Sequence, residues 1–199
     1  MTIGLHLKKL VPLGLIALAC ATSVQAMDVG GVNVPDTATV AGKELKLNGA
    51  GMRAIVILGK YYAIGLYLGE KKTTPADVQA LPVTLPRRIS LHIQKEINSE
   101  EFGQLFITSM NKNSTKEEKA KVVGQTVKFG EMFAALEPVK KGDLVTLDWV
   151  PGTGTMAQLN GKKIGEVMPD IEFFNAVLRI WLGEMPAQES VKRELLGGK

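Results

Sequence analysis

Residues 47–68 read LNGAGMRAIVILGKYYAIGLYL, and the way this stretch divides decides the fold. Asn48-Gly49 is a turn dipeptide, and the run from Ala54 to Leu58 is too β-branched and too uninterrupted for an exposed helix. It predicts a strand with Arg53 at its start. Gly59-Lys60 then predicts a tight turn, and Tyr61 to Leu68 a second strand with Gly65 as its weak point, so the pair reads as a hairpin. A single arginine stands among these apolar residues. Arg53 is either ion-paired or snorkelling at a sheet end, or it heads an apolar pocket that recognises an anion, since a planar, always-charged fork matches a carboxylate or phenolate. Composition leaves both readings open.

Upstream of the hairpin, Val29 to Val34 and Lys43 to Leu47 read as short strands. Downstream, Pro75 to Leu81 predicts a short helix with Thr74 as N-cap. Arg87 to Gln94 alternates apolar and polar residues as a half-buried strand does. Asn98-Ser-Glu-Glu101 and Thr115-Lys-Glu-Glu118 both fit the capping-box pattern, so two helices start there, separated by the polar break 111–114. Phe102, Leu105, Phe106 and Met110 share a stripe on the first, and Val122, Phe129, Phe133 and Leu136 on the second; such stripes are most simply core against a sheet.

The strand pattern resumes at Asp143 to Val150, turns at 151–154, continues to Leu159, and reverses at Asn160-Gly161, a type I′ signal, into Lys162 to Val167. A helix follows from Pro169 to Leu182, with Ile171, Phe174, Leu178 and Trp181 on one face and Gly183 as C-cap. A last short helix covers Gln188 to Leu196. Strands, then helices, then strands, then helices imply an α+β fold: a large antiparallel sheet covered on one face by helices.

The N-terminus reads as a signal peptide over residues 1–26. Lys8 and Lys9 precede an apolar run from Leu10 to Ala19, too short to span a bilayer, and Val24-Gln25-Ala26 offers a cleavage site. A lipid attachment at Cys20 is the competing reading, with Ala17 a poor match to a lipobox. Cleavage after Ala26 leaves residues 27–199 as a single domain, exported and periplasmic if the source is a Gram-negative bacterium. No second apolar segment is long enough for a membrane helix.

Composition removes several function classes. Cys20 is the only cysteine and falls in the leader, so neither disulfides nor thiolate chemistry are expected. After loss of His6 the only histidine is His92, in a strand, which gives no metal site. The 24 basic residues less Lys8 and Lys9 leave 22 against 20 acidic ones, too even for a nucleic-acid partner. Gly152-Thr-Gly154 lacks the Lys and following helix of a phosphate loop. No cofactor is expected.

LNGAGMR followed by KYYAIGLYL resembles the chalcone isomerase superfamily, and AVLRIWLGEMP resembles its C-terminal helix; the likeness extends over most of residues 28–198. The resemblance implies an open-faced β-sandwich with a ligand cleft between sheet and helices. It also implies site residues. In the family an arginine anchors a phenolate, and Arg53 matches it; a strand threonine falls at Tyr62, the catalytic tyrosine at Phe102, an asparagine near Ser109, and a second threonine near Ile180, beside Trp181. The departures matter most. Phe102 has no hydroxyl and Ile180 is apolar, and a missing transition-state donor costs on the order of 10²-fold or more in rate. Arg53 with Tyr62 is instead similar to the fatty-acid-binding branch, in which an Arg and a Tyr grip a carboxylate.

Three readings follow. The first is a non-catalytic exported protein holding a small amphipathic carboxylate, such as a fatty acid, or a phenolic ligand at Arg53 and Tyr62, in a cleft walled by Phe102, Phe106, Ser109, Ile180 and Trp181. The second is an intramolecular lyase of chalcone isomerase type with altered donors. The third is a structural or interaction protein in which Arg53 is only an ion pair.

Overall fold

The computed structural model describes residues 25–57 and 59–198. The expected leader, with Cys20, lies outside them apart from Gln25 and Ala26. A two-stranded ribbon, β1 (Ala26–Asp28) and β2 (Asn33–Pro35), precedes the main sheet. That sheet has seven strands: β3 (Thr37–Val40), β4 (Lys43–Ile55), β5 (Gly59–Leu68), β6 (Arg87–Ile93), β7 (Leu144–Val150), β8 (Gly154–Leu159) and β9 (Lys162–Met168). They neighbour one another in sequence order, every pair antiparallel. Helix α1 (Pro75–Gln79) joins β5 to β6, α2 (Ser99–Lys112) and α3 (Lys116–Ala134) join β6 to β7, and α4 (Ile171–Leu182) and α5 (Glu189–Leu195) close the chain.

The two faces of the sheet differ in what they meet. Along β5, Tyr62, Ile64, Leu66 and Leu68 enter the main core, which includes Phe102 and Phe106 of α2, Phe129 and Phe133 of α3, and Phe174 and Trp181 of α4. Their alternates Ala63 and Tyr67 enter a smaller cluster with Val29 and Val34 of the ribbon region. Helices thus cover one face, as the pattern implied, and the ribbon covers part of the other. Gly65 belongs to that second face: a Cβ there would lie 3.0–3.1 Å from Ser90 Oγ, Tyr67 and Val34 Cγ1, so the close approach of the ribbon explains the glycine.

Local signals predicted most elements because side chains satisfy the helix ends as the motifs demand. Thr115 and Glu118 form the reciprocal capping box of α3. Asn98 accepts from the Glu101 amide to cap α2, and Thr74 from Asp77 to cap α1. Asn160 and Gly161 take the positive φ that the β8–β9 turn requires.

Three expectations are corrected. Val29 to Val32 is not strand but the turn between β1 and β2, with paired backbone hydrogen bonds between those two residues and positive φ at Gly30 and Gly31. Asn48-Gly49 is not a turn: it lies inside the 13-residue β4, at a register shift. The buried Asn48 amide donates to Lys72 O and Leu195 O, while its oxygen accepts from Lys72 N. Gly49 and Gly51 let α5 rest on the strand; a Cβ on Gly49 would lie 2.1 Å from Glu194 O, and one on Gly51 2.1 Å from Glu194 Oε2. Finally, Arg53 ends a strand rather than starting one. The run after it, Ile55-Val56-Ile57, is the end of β4 and the turn into β5. Its β-branched composition reads as strand although its residues face water.

Candidate functional site

Arg53 and Tyr62 are directly opposite on β4 and β5. Paired residues point to the same face, so the register sets the guanidinium beside the phenol, under the helices. On β4 the helix-facing series is Gly49, Gly51 and Arg53: two glycines admit α5, and the next position, beyond its edge, carries a long charged side chain.

Both side chains line a cavity of about 120 Å³. Its other walls are Ile55 and Tyr61 from the hairpin, Ile97, then Phe102, Leu105, Phe106 and Ser109 from α2, Ile180 from α4, and Ala187. Six of the seven residues singled out in the sequence therefore meet at one place. Trp181 stands behind the wall rather than on it. Its indole Nε1 donates to Tyr62 Oη at 3.1 Å, and its ring meets Phe106 edge-on with centroids 5.5 Å apart. Phe102 and Phe106 continue the aromatic cluster at 4.8 Å. Leu105, expected in the core, is mostly exposed and forms part of the mouth.

The polar geometry is specific. Tyr62 is buried, and burial pushes its phenol above the usual value, partly offset by the Trp181 N–H and by Arg53. The hydroxyl is therefore neutral at physiological pH. It already accepts from Trp181, and among the described residues its own proton meets no acceptor. Arg53 Nη1 donates to Gln188 Oε1 at 3.1 Å and to Ala54 O at 3.3 Å. No carboxylate of the described residues comes within 4.0 Å of it. Glu194, whose Oε2 rests on Gly51 without a hydrogen-bond partner, makes no ion pair with it.

Gln188 escaped sequence reasoning. Its Oε1 also accepts from Ala54 N, and its Nε2 donates to Met52 O and Ser190 Oγ, so it clamps the end of β4 from the start of α5. No local pattern marks a glutamine 135 residues from its partner.

A larger cleft of about 620 Å³ opens beside Arg179, which precedes Ile180 and so points to another side of α4. Its guanidinium is engaged by Glu118 at 3.3 Å, Ser114 and Gln79, and its rim mixes Lys112 and Lys192 with Glu184. The smaller cavity has the apolar walls and few convergent polar groups of a ligand site; the larger does not. No helix of the described residues is long and apolar enough to cross a membrane, and they contain no cluster of three or more acidic, histidine or cysteine groups fit to hold a metal.

The model of a family described as chalcone isomerase-like matches residues 26–197. The chain belongs to the chalcone isomerase-like family. Among solved structures, this chalcone isomerase-like chain is similar to the crystal structure of a fatty-acid-binding protein from Arabidopsis thaliana, with a TM-score of 0.62 and 16% identity over 83% of this chain and 92% of that one. That likeness is one of fold. No curated protein matches the chain.

Proposed function

We propose that this chalcone isomerase-like protein binds the carboxylate of a small amphipathic acid, such as a fatty acid, between Arg53 and Tyr62. One observation carries the reading: a guanidinium without a carboxylate partner faces a neutral phenol whose proton is unclaimed, in a cavity otherwise walled by apolar side chains. A carboxylate leaving water needs a paired cation and hydrogen bonds, and these two groups supply both. The solved fatty-acid-binding neighbour supports the same ligand class through shared fold.

The cavity limits what enters. About 120 Å³ is room for roughly four waters and is below the roughly 300–1,000 Å³ usual for drug-sized ligands. The head group and first carbons fit inside, and a longer tail leaves through the mouth between Ile55 and Leu105. Ring-closing isomerisation is the poorer match, since Phe102 and Ile180 bring no donor to this wall. We also propose that residues 1–26 are an export signal and that binding takes place outside the cytoplasm.

Native mass spectrometry of the purified protein tests the reading. A co-purified or added fatty acid should be retained by wild type and lost in Arg53→Ala at equal thermal stability. A wild type that is empty and takes up neither octanoate nor palmitate would overturn it.

A further inference from the structure

The tip of the β4–β5 hairpin is made of the wrong residues for a turn. Turns favour Gly, Asn, Asp, Ser and Pro, which tolerate the backbone or hydrogen-bond locally. This one carries three consecutive aliphatic, β-branched residues. Ile55 is partly exposed, Val56 fully so, and Ile57 is 92% exposed. Single exposed apolar residues are ordinary, but a contiguous cluster at a projecting tip calls for an apolar partner outside the fold.

The charge around the tip names that partner. Residues 45–69 contain no acidic side chain and three basic ones, Lys46, Arg53 and Lys60. Lys60, second residue of β5, lies opposite Ala54 at the base of the tip, and its Nζ donates one of its three hydrogens to Gly30 O at 2.7 Å. Lys95, two residues past the end of the neighbouring β6, sits over the Tyr61 ring at 5.4 Å. Both lysines are exposed. Apolar residues projecting beyond exposed lysines match a bilayer surface, where aliphatic side chains enter the acyl boundary and cations stay at the level of anionic head groups. Glu96, exposed beside Lys95, is the acidic residue next to this set in the chain.

We propose that the β4–β5 tip docks the protein on an anionic lipid surface, with Ile55, Val56 and Ile57 inserted and Lys60 and Lys95 on the phosphates. The position ties docking to the cavity. Ile55 is both tip and cavity wall, so a docked molecule holds the mouth, with Arg53 behind it, at the depth where the carboxylate of a membrane-dissolved fatty acid lies. The proposal extends the carboxylate reading without depending on it, because docking needs the tip and the lysines whereas acid binding needs Arg53 and Tyr62.

Vesicle sedimentation separates the outcomes. Residues 10–19 form an apolar run of their own, so wild type and variants are compared in chains with identical N-termini. Wild type should sediment with vesicles containing phosphatidylglycerol and much less with pure phosphatidylcholine. Val56→Ser/Ile57→Ser should lower partitioning at least about tenfold with unchanged thermal stability, since both side chains face water. Lys60→Gln/Lys95→Gln should reduce binding to the anionic vesicles and flatten its salt dependence. The tip variant should still retain octanoate, and Arg53→Ala should still sediment. A wild type left in the supernatant with every vesicle would overturn the proposal. So would a tip variant that binds as wild type does, or a wild-type dimer that the tip substitutions dissolve, which would give the surface to a second copy of the chain.

Discussion

Arg53 and Arg87 lie on the same sheet, and among the described residues neither has a carboxylate within 4.0 Å. They differ in what occupies their donors. Arg87 is fully buried at the start of β6, and its Nη groups donate to the carbonyls of Val78, Leu81 and Pro82 and to Asn175 Oδ1. Burial pushes its pKa down to about 10, still charged at neutral pH. It ties α1 and the following turn to the sheet. Arg53 is only partly buried, shares one nitrogen between Gln188 and Ala54, and turns toward a cavity. An unpaired arginine is therefore not by itself a binding residue; one whose donors remain open toward a cavity is a candidate. Next to Arg87, Arg88 shows the third arrangement, a two-pronged pair with Asp148 at 2.6 Å on the opposite face.

Substitution should separate the two regions most sharply. Arg87→Ala leaves buried carbonyls unpaired and a void in the core, and should cost about 3 kcal/mol or more of stability in a denaturant titration. Arg53→Ala should cost less than about 1 kcal/mol, since its side chain is partly solvated and only one of its nitrogens is hydrogen-bonded. Equal losses would mean that Arg53 too is structural, and the comparison would fail.

A smaller effect concerns the other face of β6. His92 is half-buried, its ring 3.3 Å from Ser90 Oγ, and burial holds its pKa below the usual 6.5. The unfolded chain then binds the proton more readily than the folded one. Stability should be fully present above about pH 6.5 and fall as pH drops through that value toward the lower folded pKa. Measured between pH 7.5 and 5, the slope should be shallower in His92→Gln; identical slopes would remove the histidine from the account.

Much of the fold was legible because local chemistry carried it. Thr115 with Glu118, Asn98, Thr74 and Asn160-Gly161 each act within a few residues, so the sequence states them outright. Residues 48–57 were not legible, and for one reason. Asn48-Gly49 owes its identity to α5, more than 140 residues away, and Ile55-Val56-Ile57 is composed against the rules of a turn, so local reading broke the strand at Asn48-Gly49 and carried it past its end at Ile55. The site followed the same division. The family likeness brought Arg53, Tyr62 and the α2 and α4 residues to one cavity, whereas Gln188, a distant clamp without a motif, could be found only from the folded chain.

Arg53, on the function proposed above, is held for an external carboxylate. Carbon-13 NMR of octanoate labelled at its carboxyl carbon, titrated over pH with the protein, tests it most directly. Wild type should give a bound resonance that stays ionised to lower pH than the free acid, because the guanidinium favours the charged form. In Arg53→Gln that resonance should vanish or titrate at higher pH. A wild type without a bound resonance, or one whose titration is unchanged by the substitution, would contradict the account.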